Sequence, residues 1–174
     1  MVCFEADQWI PVPLPTVFAF FSDPDNLPRI MPTELRVRTE RKLLVPPPAG
    51  SGAIYEALKR DKVAGVGSEF VFSFQPLPFF LLRMEWRVRI EEWEPGRYFR
   101  DIQLSGPMRR WSHRHDFQAA RRNGLEGTLI RDRVDFEIGY GWAGELVERF
   151  FVLPSMQKSF AHRQAQVERA LQLR

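Results

Sequence analysis

The sequence predicts an α+β domain in which an antiparallel sheet packs on a long C-terminal helix. Three observations point there. Segments of strict two-residue alternation recur along the middle of the chain, separated by turns rich in Pro, Gly and Asn. Two short helical patterns, cut by prolines, follow the first alternating segment. From about Trp142 to Leu173 no glycine follows Gly144, and apolar residues recur at helical spacing.

Residues 2–12 alternate with Phe4, Ala6, Gln8 and Ile10 on one side, and Pro11 and Pro13 end this first strand. Pro15 suits the first turn of a helix running through TVFAFFSD, and Asp23-Pro24 breaks it. PDNLPRIM reads as a second short helix closed by Pro32. Two helices so placed suggest a V-shaped clip on one edge of the sheet. LRVRTERKLLV returns to strand, with Leu35 and Val37 opposite Arg36 and Arg38. The 43–66 segment opens on a proline-glycine stretch, and AIYEALKRDKVAGVG fits a short helix or a loop. It reads as an inserted lid or a plain surface loop.

SEFVFSFQ sets Phe70, Phe72 and Phe74 against Val71 and Ser73, and PLPFFLL makes a connection. RMEWRVRIEEW is the clearest half-buried strand, with Met84, Trp86, Val88 and Ile90 inward. Glu94-Pro95-Gly96 turns the chain into a strand from Phe99 to Ser105, and Gly106-Pro107 turns it again. After a second long strand and the RRNGLEG loop, GTLIRDRVDFEIG places Ile130, Asp132, Val134, Phe136 and Ile138 on one face. In the final helix Pro154 predicts a kink or division. Beyond it Leu153, Met156, Phe160, Val167 and Leu171 form the buried stripe, with Arg163 on its edge and His162 pointing away.

A length of 174 residues fits a single domain, 1–174, with a sizeable core. The 15 Phe against 3 Tyr suit a wide interior lined by rings. Basic residues number 25 and acidic 22, interleaved as in RIEEWEPGRYFRD, so no cationic stripe offers a nucleic-acid surface. No apolar run is long enough for a membrane span, and MVCFEADQW has no signal-peptide pattern. The single cysteine, Cys3, excludes an internal disulfide and fits a reducing cytoplasm. Oligomeric state is not legible.

The chemistry concentrates in RWSHRHDF. Alternation puts Trp111, His113, His115 and Phe117 on one face, and Arg110, Ser112, Arg114 and Asp116 on the other. Packing alone does not need two imidazoles on a core face. With Asp132 they admit three readings: a hydrogen-bonded structural cluster, a polar group that orients a ligand in a greasy cavity, or metal or acid–base chemistry. For metal, no further ligand is evident, so no metal, cofactor or catalytic residue is assigned. Arg163 is either a snorkelling surface arginine or the cation at one end of the cavity. Asp101 and Gln103 join the site if they, and not Ile102 and Leu104, face inward with Phe99. Trp86, Trp111, Phe117, Phe136 and Phe160 wall the interior.

The element order, together with VFAFFSDPDNLPRIMP, Trp86, F-x-D-x-Q at 99–103, GP at 106–107, W-x-H-x-H-x-F at 111–117, GT-x-x-x-D at 127–132 and F-x-x-R at 160–163, resembles the SRPBCC superfamily. That superfamily includes START lipid-transfer domains, the plant pollen allergens and bacterial polyketide cyclases. The match covers nearly the whole chain and is similar in wording to bacterial ligand-binding members. Met108, where an aromatic is expected, and the 43–66 segment depart from the pattern. The resemblance implies a helix-grip fold: a curved antiparallel sheet wrapped around the C-terminal helix, with two short helices after the first strand. It implies a cavity for a small hydrophobic molecule such as a lipid, polyketide or aromatic compound. The alternatives are a cyclase or dehydratase with a His–Asp acid/base pair, and a non-catalytic protein-interaction module.

Overall fold

A computed structural model describes residues 1–58, 62–76 and 82–172. Most of the PLPFFLL connection, part of the 43–66 segment and the last two residues thus lie outside the described residues. The elements run β1 (Val2–Ile10), α1 (Leu14–Ser22), α2 (Leu27–Ile30), β2 (Arg38–Leu43), α3 (Ala53–Ala57), β3 (Glu69–Phe74), β4 (Met84–Glu94), β5 (Tyr98–Ser105), β6 (Arg110–Arg122), β7 (Leu125–Glu137), α4 (Gly141–Val147) and α5 (Leu153–Gln172). The seven strands form one antiparallel sheet in the order β1-β7-β6-β5-β4-β3-β2. Sequence neighbours therefore pair throughout, except that β1 closes onto β7.

α5 lies across the sheet and is fixed by polar clamps to β1. Gln8 Nε2 donates to the Gln164 carbonyl at 2.8 Å, and Gln164 Nε2 donates to the Asp7 carbonyl at 3.1 Å. Most of the expected stripe is buried: Met156, Phe160, Val167 and Leu171 face inward with Arg163 among them, and Leu153 is only partly buried. α1 packs on β6 and β7, and α2 packs on α5. The two short helices thus fill the concave side and do not clip an edge. The reason is their apolar load: Val17, Phe18 and Phe20 of α1 are buried, with Val17 and Phe18 fully so.

Three departures from the sequence reading have local causes. Thr33–Leu35 is a 3-10 turn that ends in a left-handed Arg36 (φ 44°), so β2 begins only at Arg38. β2 is a largely exposed edge strand whose RTERK charges discourage pairing with other chains. In β4 the register shifts between Ile90 and Glu92, which turns Trp93 inward against Phe18 at 5.5 Å between ring centroids. Pro154 lacks an N–H, and just before it the helix widens into a π turn over Glu148–Val152. Buried Glu148 of that turn accepts the Ile138 N–H at 2.7 Å and so ties the helix entry to the end of β7. On its outer side this region exposes Trp142, Phe150 and Phe151.

The 43–66 segment is not an exposed loop throughout. α3 packs on α1, and Leu58, Val63 and Ala64 are buried beside partly buried Ile54 and Tyr55. Ala64 N–H donates to the Ser22 carbonyl at 3.0 Å.

Candidate functional site

Cross-strand register assembles the site. On the inner face Asp132 of β7 stands opposite His115 of β6, which stands opposite Phe99 of β5. One step along, Val134 is opposite His113, His113 opposite Asp101, and Asp101 opposite Ile90 of β4. Directly paired residues share a face. Asp101 is therefore inward, beside both imidazoles, and Ile102 is not its substitute. Gln103 is on the same face, but its side chain is engaged by the β5–β6 turn. Its Nε2 donates to the Met108 carbonyl at 2.5 Å, and its Oε1 accepts the Met108 N–H at 3.4 Å.

His113, His115, Asp132 and Arg163 are all buried, with Arg163 only 6% exposed. One carboxylate oxygen organises them. Asp132 Oδ1 lies 2.9 Å from His113 Nε2, 2.6 Å from His115 Nδ1 and 3.5 Å from Arg163 Nη2. Burial alone would raise the Asp132 carboxyl. Arg163, His115 and the two ring hydrogen bonds outweigh it and hold the carboxyl well below the usual range. An ionised carboxylate only accepts, so His113 Nε2 carries the proton between them, whereas His115 Nδ1 lies between Asp132 Oδ1 and Arg163 Nη2, a pure donor 3.3 Å away. Burial, and then the neighbouring His113, push His115 down to about 3, so it is neutral at physiological pH.

The other ring nitrogens face Asp101. His113 Nδ1 is 3.9 Å and His115 Nε2 is 3.8 Å from Asp101 Oδ2, beyond direct hydrogen bonding. Burial pushes the Asp101 carboxyl up. It is opposed by His113 and by the Trp111 indole N–H, which favours the carboxylate without closing a well-formed hydrogen bond. The Asp101 side chain remains 15% exposed, so this end of the cluster reaches solvent.

The polar row separates two apolar compartments. On one side Phe18, Phe99, Phe117, Ile130, Val167 and neighbours form the larger cluster, with Trp86 against it. On the other, Phe4, Val134, Phe136, Met156 and Phe160 pack with Trp111 and Met108. The Trp86 and Trp111 rings meet edge-to-face at 4.8 Å, and the buried Trp86 Nε1 has no hydrogen-bond partner among the described residues. Arg163 is no surface arginine. Its guanidinium stands 5.1 Å from the Phe21 ring and 5.3 Å from the Phe160 ring. Phe21, from α1, also packs 6.0 Å from His115, a site contact that no sequence periodicity reveals.

The expected hollow is crowded. Phe99 lies 4.4 Å and Phe21 6.0 Å from His115, and Phe160 5.7 Å from His113. Two surface grooves of about 410 and 380 Å³ are lined by residues around Pro13–Pro15 and around Tyr98 and Arg131, not by the polar row.

No protein-family model matches the chain, and no curated protein matches it by sequence. Solved structures match over almost its whole length. Protein TTHA0849 from Thermus thermophilus is 16% identical with a TM-score of 0.66, covering 99% of this chain and 98% of its own. A START superfamily protein from Mycobacterium smegmatis is 10% identical with a TM-score of 0.60, over 98% of this chain and 97% of its own. The di-domain ARO/CYC StfQ from the steffimycin biosynthetic pathway is 13% identical with a TM-score of 0.65, over 98% of this chain and 50% of its own. The chain has the helix-grip fold. The SRPBCC resemblance read from the sequence agrees with these neighbours, and at such identities the likeness concerns the fold.

Proposed function

We propose that this helix-grip protein binds a small amphipathic molecule between the sheet and α5, with its polar group on the Asp101–His113–His115 end of the buried row. The observation that carries this reading is the row itself: a carboxylate and two imidazoles, flanked by an apolar compartment on each side and open to solvent at Asp101. Ligand sites pair apolar walls with a few polar groups in this way. The Trp86 indole N–H, which has no hydrogen-bond partner among the described residues, belongs to a ring that reaches the row through Trp111. Entry displaces the rings that crowd the row, Phe21 and Phe160 first, because they come from helices and not from the sheet. Burial of about 300 Å² of apolar ligand contributes about 7 kcal/mol. Several kcal/mol are lost on association, which leaves micromolar to millimolar affinity.

The test is native mass spectrometry and thermal shift with long-chain fatty acids, aromatic polyketides and simple phenols. A stabilising ligand whose effect is lost in His113→Ala supports the reading, and an inert protein across all three classes overturns it. A second reading is a cyclase or dehydratase, favoured by the 2.6 Å contact between His115 Nδ1 and the Asp132 carboxylate. That contact orients the ring, whose Nε2 faces the Asp101 end where a carbonyl compound would lie. Turnover of a linear polyketide mimic that survives in folded His115→Gln protein would remove it.

A further inference from the structure

The two imidazoles and Asp101 also converge as the donors of a metal site do. Asp132 Oδ1 lies 2.9 Å from His113 Nε2 and 2.6 Å from His115 Nδ1, so each ring's remaining nitrogen is turned away from it. Both remaining nitrogens lie near the same atom, Asp101 Oδ2, at 3.9 and 3.8 Å. Three atoms of metal-binding type thus converge, all within 4.8 Å of one another. The charge of Asp132 is matched by Arg163 at 3.5 Å, whereas among the described residues no lysine or arginine forms a salt bridge with Asp101. A largely buried carboxylate facing two ring nitrogens is a place that suits a cation.

We propose that Asp101, His113 and His115 bind a first-row divalent transition metal, as a two-histidine, one-carboxylate site with open coordination positions. Metal–nitrogen bonds of about 2.0–2.1 Å and metal–oxygen bonds of about 2.0–2.2 Å need only sub-ångström closure of the present gaps. Imidazole and carboxylate donors suit zinc, iron and cobalt, and the absence of thiolate disfavours softer ions. Asp132 stands where metal-bound histidines ordinarily have a carboxylate partner on their far nitrogen, and it orients both rings. Arg163 in turn holds Asp132. Because Asp101 is the partly exposed member, the ion enters from its side, and water or a ligand oxygen completes the shell. This site does not depend on the amphipathic-ligand reading.

The experiment is titration of the metal-free protein with Co2+, followed by its visible absorption and by competition with Zn2+, and repeated calorimetrically. One Co2+ per chain is expected, displaced by Zn2+. Asp101→Asn, nearly isosteric at a partly exposed position, should weaken binding by more than about a hundredfold, and Asp132→Asn by about 10–100-fold. His162→Ala and Cys3→Ser, which remove the other histidine and the only cysteine, should leave binding unchanged. Circular dichroism establishes that each variant is folded. Absence of saturable binding at millimolar metal overturns the proposal. So does binding that persists in Asp101→Asn, or that disappears with His162 or Cys3. Ligand binding by a protein that takes up no metal would leave the proposed function standing while this inference failed.

Discussion

Replacing Asp132 by Asn tests the polar row at its centre. The change keeps size and shape, so no cavity is created, but it removes the charge that serves two imidazoles and a buried guanidinium. Arg163 is then a cation that is 6% exposed and has lost its carboxylate, with His115 Nδ1 at 3.3 Å and two aromatic faces around it. Breaking a buried pair by removing one partner costs about 3–5 kcal/mol. For a chain of this length each kcal/mol moves the melting temperature by about 2–4 °C, so Asp132→Asn should melt about 6–20 °C lower. Removing both charges is a different matter, because an apolar replacement of a buried pair is often neutral. Arg163→Met retains contact with the Phe21 and Phe160 rings. The Asp132→Asn/Arg163→Met double variant should therefore recover to within about 2 kcal/mol of the parent. Urea melts followed by tryptophan fluorescence and near-UV circular dichroism measure both. A loss below about 1 kcal/mol for the single variant, or simple additivity in the double, would refute the claim that Asp132 neutralises Arg163.

Other expectations follow from the same geometry. His115 takes up a proton near 6.5 when unfolded but only at about 3 when folded, so its contribution to stability is lost as pH falls between those values. The loss approaches about 5 kcal/mol at about 1.4 kcal/mol per pH unit, and His115→Gln should flatten the decline in pH-dependent melts. Asp101, pushed up by burial, contributes in the opposite sense above its ordinary value, and Asp101→Asn should steepen the same curve. Phe136→Ala empties a fully buried site beside Trp111 and should cost about 3–5 kcal/mol by chemical denaturation. At Gly144 an added Cβ meets the Gly139 carbonyl, so Gly144→Ala should displace α4. Faster amide exchange at Ile138 and in α4 would report it, and unchanged exchange would contradict it.

Much of the fold was legible because alternation and helical spacing report faces. The inward row of β6, the stripe of α5 and the prolines of α1 and α2 all read from single segments. What did not read depends on geometry between segments. Alternation along β5 says that Phe99, Asp101 and Gln103 share a face. Only the register with β6 says that this is the face of His113, and therefore that a third metal-type donor exists. The bulge that turns Trp93 inward and the left-handed Arg36 that shortens β2 shift the phase of a two-residue pattern mid-strand. Phe21 reaches His115 from a helix far earlier in the chain, a contact made by packing alone. The π turn before Pro154 follows from a proline the sequence shows, but its form depends on how the entering helix meets β7.

The most direct test of the account is nitrogen NMR of the two imidazoles, recorded with and without a bound fatty acid or Zn2+. The account predicts a proton held on His113 Nε2, towards Asp132, with His113 Nδ1 and His115 Nε2 shifting on addition of one or the other. A freely exchanging His113 tautomer, or these two nitrogens indifferent to both additions, would contradict it.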